Sequence, residues 1–237
     1  MKKLLLLVAV MSFSISAFAS HAYGGEITWK CLKSGANAGK FVFYLSFYRD
    51  CGGISGPPST INLSSNVGIS IPMNLVVTPG QANPRDVSPE CYLVPSPIRC
   101  ATAGNTQGTG AIEEFKYQSQ PITLNGIPPA TGWVFDWSLN ARPTLTNVSG
   151  GGDLYLRAIM FPYQVNGVSQ NTNQCYDSSP RFLEPPKSVI CIGKEFDYVH
   201  FAFDDDIDST SFDLTPAMYS ATLPVGYAPG YSALNPV

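Results

Sequence analysis

Apolar side chains recur at every second position in four stretches of this chain, and that spacing admits little besides β-strands. In residues 40–48, Phe41, Phe43, Leu45 and Phe47 share one face, and Val42, Tyr44, Ser46 and Tyr48 share the other. In 132–139, Trp133, Phe135, Trp137 and Leu139 stand together against Asp136 and Ser138. Ile71, Met73, Leu75 and Val77 alternate with Ser70, Pro72 and Asn74. Pro72 cannot donate to a ladder, which predicts an edge strand there. Leu154, Leu156, Ala158 and Met160 oppose Tyr155 and Arg157. Shorter strands are expected over 26–31, 112–118 and 195–203. Glycine and proline clusters at 52–58, 78–80 and 149–152 separate them. Beyond the first twenty residues no ten-residue stretch carries a helical stripe. Such strands must bury one face against another sheet, so the expected fold is all-β, an antiparallel β-sandwich of Ig-like or jelly-roll-like type.

Composition agrees. Only 13% of the 237 residues are charged, about half the usual quarter. That excludes a coiled coil, a basic nucleic-acid binder and a charge-rich disordered chain. At the amino end, Lys2 and Lys3 precede an apolar run from Leu4 to Met11, and Ala17-Phe18-Ala19 follows. This is the plan of a secretory signal peptide over residues 1–19, cleaved after Ala19. The run is too short for a membrane anchor, which needs about 20 apolar residues.

All six cysteines (Cys31, Cys51, Cys91, Cys100, Cys175 and Cys191) lie in the expected mature part. An even number in an exported chain reads as disulfides, and fifteen pairings are open. Pairing of sequence neighbours gives Cys91–Cys100 and Cys175–Cys191. A zinc site would need C-x-x-C spacing or cysteine with histidine. No such spacing occurs, and the histidines are His21 and His200 alone.

Charge shifts along the chain. Residues 20–180 carry nine acidic and nine basic side chains, whereas 181–237 carry eight and three. With the Ser178-Ser179-Pro180 and Glu184-Pro185-Pro186 segments, this predicts a β-sandwich domain over 20–177 and a second, partial module over 178–237. The roughly 57 residues from Arg181 onward are short for an Ig-like domain of about 100.

Several segments resemble one family in order along the chain. Residues 20–27 (SHAYGGEI), 48–53 (YRDCGG), 129–139 (PATGWVFDWSL), 178–203 (SSPRF, then CIGKEFDY) and 227–236 (YAPGYSALNP) are similar to the amino-terminal region of large exported Bacteroidota proteins. Those proteins carry a gliding-motility-associated, type IX secretion C-terminal domain. The resemblance implies a cell-surface repeat protein with an Ig-like or cadherin-like module from residue 178. Where that family has cysteines, this chain has Ala130, Asn140-Ala141 and Val67. The family continues past the segment matching 227–236, so by this resemblance the chain is either the front part of a longer protein or a short relative without the outer-membrane export signal. Localisation is then the cell surface or medium, or the periplasm if no outer-membrane sorting domain follows.

The concentrated chemistry is Asp204-Asp205-Asp206-Ile207-Asp208. Carboxylates at Asp204, Asp206 and Asp208 converge if the chain turns there, and clustered oxygens favour Ca²⁺. The run resembles the D-x-D-G-D loop of cadherin-like modules, with Ile207 in the glycine's place. The alternative is a solvated acidic loop. Catalytic fingerprints are missing. Glu113 and Glu114, adjacent on one strand, face opposite sides and cannot both enter one cleft for glycoside hydrolysis. Trp133 and Trp137 belong to the core face, leaving Tyr44, Tyr48 and Tyr231 as surface contacts. The chain reads as a non-enzymatic structural or adhesive module of an exported protein. Its expected partners are an extracellular glycan, a protein surface, or neighbouring modules. The alternative is a secreted carbohydrate-binding module.

Overall fold

The computed structural model describes residues 22–53, 56–77, 79–80, 82–89, 98–100, 106–107, 110–143, 145–149, 152–169, 175, 177–185 and 199–236. The expected signal peptide, Cys91, Cys191 and residues 195–198 of the strand expected over 195–203 lie outside these. The described chain is all-β. In order come β1 (Ala22–Cys31), β2 (Phe41–Asp50), β3 (Thr60–Ser65), β4 (Ile71–Leu75), β5 (Arg85–Asp86), β6 (Arg99–Cys100), β7 (Thr106–Gln107), β8 (Ile112–Ser119), β9 (Trp133–Arg142), β10 (Val148–Ser149) and β11 (Gly152–Met160).

Seven of these form one antiparallel sheet in the order β1-β2-β8-β4-β3-β9-β11, with β5 pairing to β8. The sheet folds over until its edges, β1 and β11, approach each other. The result is a nearly closed antiparallel sandwich. Alternation explains its filling. Phe43, Phe47, Leu63, Met73 and Phe135 are fully buried in one core, with Trp133 and Trp137 packed among them. Phe43 and Phe135 approach to 4.5 Å between ring centroids, and Phe47 meets Trp137 edge-on at 5.2 Å. Such pairs add about 0.5–1.5 kcal/mol beyond the area they bury.

Two expectations about surface positions are corrected. β4 is internal, bonded to β3 on one side and β8 on the other. Pro72 is tolerated because β8 pairs with β4 only at Met73, Asn74 and Leu75, leaving that side of Pro72 outside the ladder. Tyr48 is buried rather than a surface contact, because its hydroxyl is held by Glu114 on the neighbouring strand at 3.3 Å.

The disulfides are Cys31–Cys175 and Cys51–Cys100. These replace the expected neighbour pairs Cys91–Cys100 and Cys175–Cys191. Cys31 closes β1, and the chain returns to that strand end only at Cys175, with the two Cα atoms 5.3 Å apart. Spatial proximity, not sequence proximity, decides the partner.

Beyond residue 177 the chain is fastened to the sandwich. Arg181–Phe182 pairs with Ala202–Phe203, and Gly226–Tyr227 pairs with β10. Ser178 and Ser179 complete the free edge of β1: Trp29 N–H donates to Ser179 Oγ at 2.8 Å, Ser179 N–H donates to Trp29 O, and Cys31 N–H donates to Ser178 Oγ. Arg142 holds the Met218 carbonyl at 2.8 Å. Residues 215–218 lie beside the gap between β1 and β11, a cavity of about 530 Å³. At Gly152 (φ +124°) a side chain would strike the Tyr219 ring, so glycine is required there.

Candidate functional site

Register sets the outer face of the sheet. Glu26, Ser46 and Lys116 lie in one row across β1, β2 and β8, and Thr28, Tyr44 and Gln118 lie in the next. Side chains directly opposite on an antiparallel face stand about 4.5–5.5 Å apart. Six polar or amphipathic groups therefore form a small grid. Over it rises a wall from the carboxy-terminal part, Ser179, Arg181, Phe182 and Asp205, enclosing a cleft of about 440 Å³. That volume lies in the range usual for small-molecule sites.

The charges around the cleft are unequally satisfied. Asp205 bridges Lys30 (2.9 Å) and Arg181 (3.5 Å), and the Lys30 hydrogen bond holds its carboxyl below the usual range. Lys116 reaches the buried Glu114 at 3.4 Å, and Glu114 also takes two bonds from Arg85. Glu26 is different. Its Oε2 accepts one bond, from the Phe182 N–H at 3.2 Å, and Lys116 and Arg181 act on it only from beyond ion-pair distance. Burial, and then the Glu114 charge, push its carboxyl above the ordinary value.

The acidic run lies at the adjoining corner. Asp204 Oδ1 accepts from the Asp206 N–H (2.7 Å) and the Asp208 N–H (3.4 Å), closing a tight turn in which Ile207 takes φ +67°. Asp206 binds Lys33 at 2.6 Å and the Ser178 N–H at 2.7 Å. Burial works against its ionisation, but these donors outweigh burial and lower its pKa. Among the described residues one set of three metal-ligating side chains has its ligand atoms within 4.8 Å of one another: Cys51, Cys100 and Glu113. Two of these are joined in a disulfide. In this turn Asp205 is turned to Lys30 and Arg181, and Asp206 to Lys33.

Sequence reasoning missed Asp177, which joins this corner from 27 positions before Asp204. Burial, then the charges of Asp204, Asp208 and Asp206, push its carboxyl up to about 6. A carboxyl raised in the folded state contributes stability that is complete below its unfolded value of 3.8 and is lost as pH rises through about 6. Asp177→Asn is therefore expected to raise the melting temperature at pH 7.5, have little effect at pH 4.5, and flatten the profile between. Thermal scans across that interval check it.

Glu113 and Glu114 stand as expected, on opposite faces. Glu113 pairs with Arg49 inside, and Glu114 with Arg85 outside. Tyr44 is half-buried at the cleft, Tyr231 is exposed elsewhere, and the His200 ring lies 6.2 Å from both Phe182 and Phe212, which stack on each other at 6.3 Å. No helix among the described residues is long and apolar enough to cross a membrane. Compared with protein-family models, curated proteins and solved structures, the chain gives no match.

Proposed function

We propose that this chain is a non-enzymatic structural or adhesive module of an exported cell-surface protein, of the gliding- and adhesion-associated kind its motifs resemble. The observation that carries this reading is the pair of disulfides stapling an aromatic-filled sandwich at Cys31–Cys175 and Cys51–Cys100. Such bonds persist in oxidising compartments. Supporting it, the two adjacent carboxylates on β8 face opposite sides of the sheet, one engaged by Arg49 and the other by Arg85. Expression with the native amino terminus, followed by fractionation and amino-terminal sequencing, tests it. The expected product begins at Ser20 and is protease-accessible on intact cells or in the medium. A cytoplasmic product retaining Met1 contradicts it.

A second reading, a secreted carbohydrate-binding module, is favoured by the cleft, where hydrogen-bonding groups and aromatic rings meet on a rigid sheet face.

A further inference from the structure

We infer that the cleft between the β1-β2-β8 face and residues 179–205 is a binding site for a neutral saccharide unit, with Glu26 as its central acceptor. The inference rests on the carbohydrate-binding reading and gives it a place and a ligand class. Four side chains carry the argument. Glu26 Oε1, the Thr28 hydroxyl, the Tyr44 hydroxyl and the Gln118 amide have no hydrogen-bonding partner among the described residues. Glu26, Thr28 and Tyr44 are half-buried. Partnerless and open to the cleft, these groups stand ready for the donors and acceptors of a ligand.

Charge selects the ligand. A free carboxylate oxygen in a partly dry cleft repels an anionic sugar. Lys30, Lys116 and Arg181 line the same cleft and are already paired with Asp205 and Glu114, so charges of both signs are present and neither sign of ligand meets an unopposed counter-charge. Hydroxyl groups suit both, since each donates one bond and accepts others. Ring hydroxyls donate to Glu26 Oε1, while the Gln118 amide and the Lys116 ammonium donate to sugar oxygens. The rings of Tyr44 and Phe182, the latter 46% exposed, offer apolar faces to the sugar's C–H face. The bonded register Glu26↔Ser46↔Lys116 and Thr28↔Tyr44↔Gln118 fixes the spacing before any ligand arrives, which lowers the ordering cost of binding.

The test is calorimetric titration of the mature protein with cello-, malto-, manno- and xylo-oligosaccharides, and with oligomers of a uronic acid and of a free hexosamine. At least one neutral series is expected to bind. Glu26→Gln and Tyr44→Ala should each weaken that binding at least tenfold, with melting temperatures near that of the parent. Gln118→Ala, at an exposed position, gives the same readout should Glu26→Gln fail to fold. Binding of a neutral oligomer that none of these variants alters removes the site and leaves the carbohydrate-binding reading standing. Binding restricted to the acidic or amino oligomers overturns the ligand class. No heat from any oligomer at about 10 mM, weaker than millimolar affinity, overturns both.

Discussion

Arg49→Met is expected to destabilise the folded chain by about 3–5 kcal/mol, the usual loss when one partner of a buried ion pair is removed. Arg49 sits on the core side of β2 at 7% exposure, directly across from Glu113 on β8. Its guanidinium binds Glu113 and lies 5.5 Å over the Phe115 ring. Burial already pushes the Glu113 carboxyl upward, and Arg49 is the largest influence pulling it back. Without Arg49 that desolvated carboxylate has lost its counter-charge. The sign with pH follows. A group raised in the folded state contributes stability at low pH that is lost as pH rises through its folded value. Arg49→Met should therefore be least harmful in acid. Urea unfolding at pH 4.5 and 7.5 measures both effects, and the double variant Arg49→Met/Glu113→Leu should recover much of the loss. A single variant within about 1 kcal/mol of the parent at pH 7.5 would show that the pair carries little, as exposed pairs do.

Loss of the Cys31–Cys175 bridge should be comparably severe. It closes a loop spanning 144 residues, for which the chain-entropy relation gives about 5 kcal/mol. Cys51–Cys100 spans 49, for which the same relation gives about 4 kcal/mol. At roughly 2–4 °C per kcal/mol for a chain of this size, Cys31→Ser/Cys175→Ser should melt about 10–20 °C below the parent. The two bridges differ more in what they hold. Ser178 and Ser179, which complete the edge of β1, follow Cys175 within four residues. Removing this bridge should expose residues 175–185 to limited proteolysis, and removing Cys51–Cys100 should not. Equal proteolysis in both double variants would mean that the serine contacts and the Lys30, Lys33 and Arg181 ion pairs hold the segment unaided.

Much of the sheet was legible because alternation directly records which side of a strand meets the core. Phe41 to Phe47, Trp133 to Trp137 and Leu154 to Met160 all fall where their spacing put them. Rules about single residues served less well. Pro72 suggests an edge, yet β4 is internal, because a ladder needs to be open only beside the proline. The cysteine partners were hidden because a strand end finds its neighbour through the whole fold, and Cys31 waits for Cys175. The cleft was half visible. Alternation marks Glu26, Thr28, Ser46, Lys116 and Gln118 as outward, but their alignment in two rows depends on strand order. The wall of Arg181, Phe182 and Asp205 depends on chain packing far from those strands. The acidic run suggested a cation loop from its spacing alone. The ion pairs of Asp205 with Lys30 and Asp206 with Lys33, and the approach of Asp177 to the same corner, depend on chain packing and were not legible there.

Peptide mapping of the unreduced mature protein by mass spectrometry probes most directly whether one fold joins β1 to the chain after residue 174. Cross-linked peptides containing Cys31 with Cys175, and Cys51 with Cys100, are the predicted result. Cys175 joined to Cys191, Cys100 joined to Cys91, or six free thiols would contradict it, and the cleft wall and its proposed ligand would fall with it.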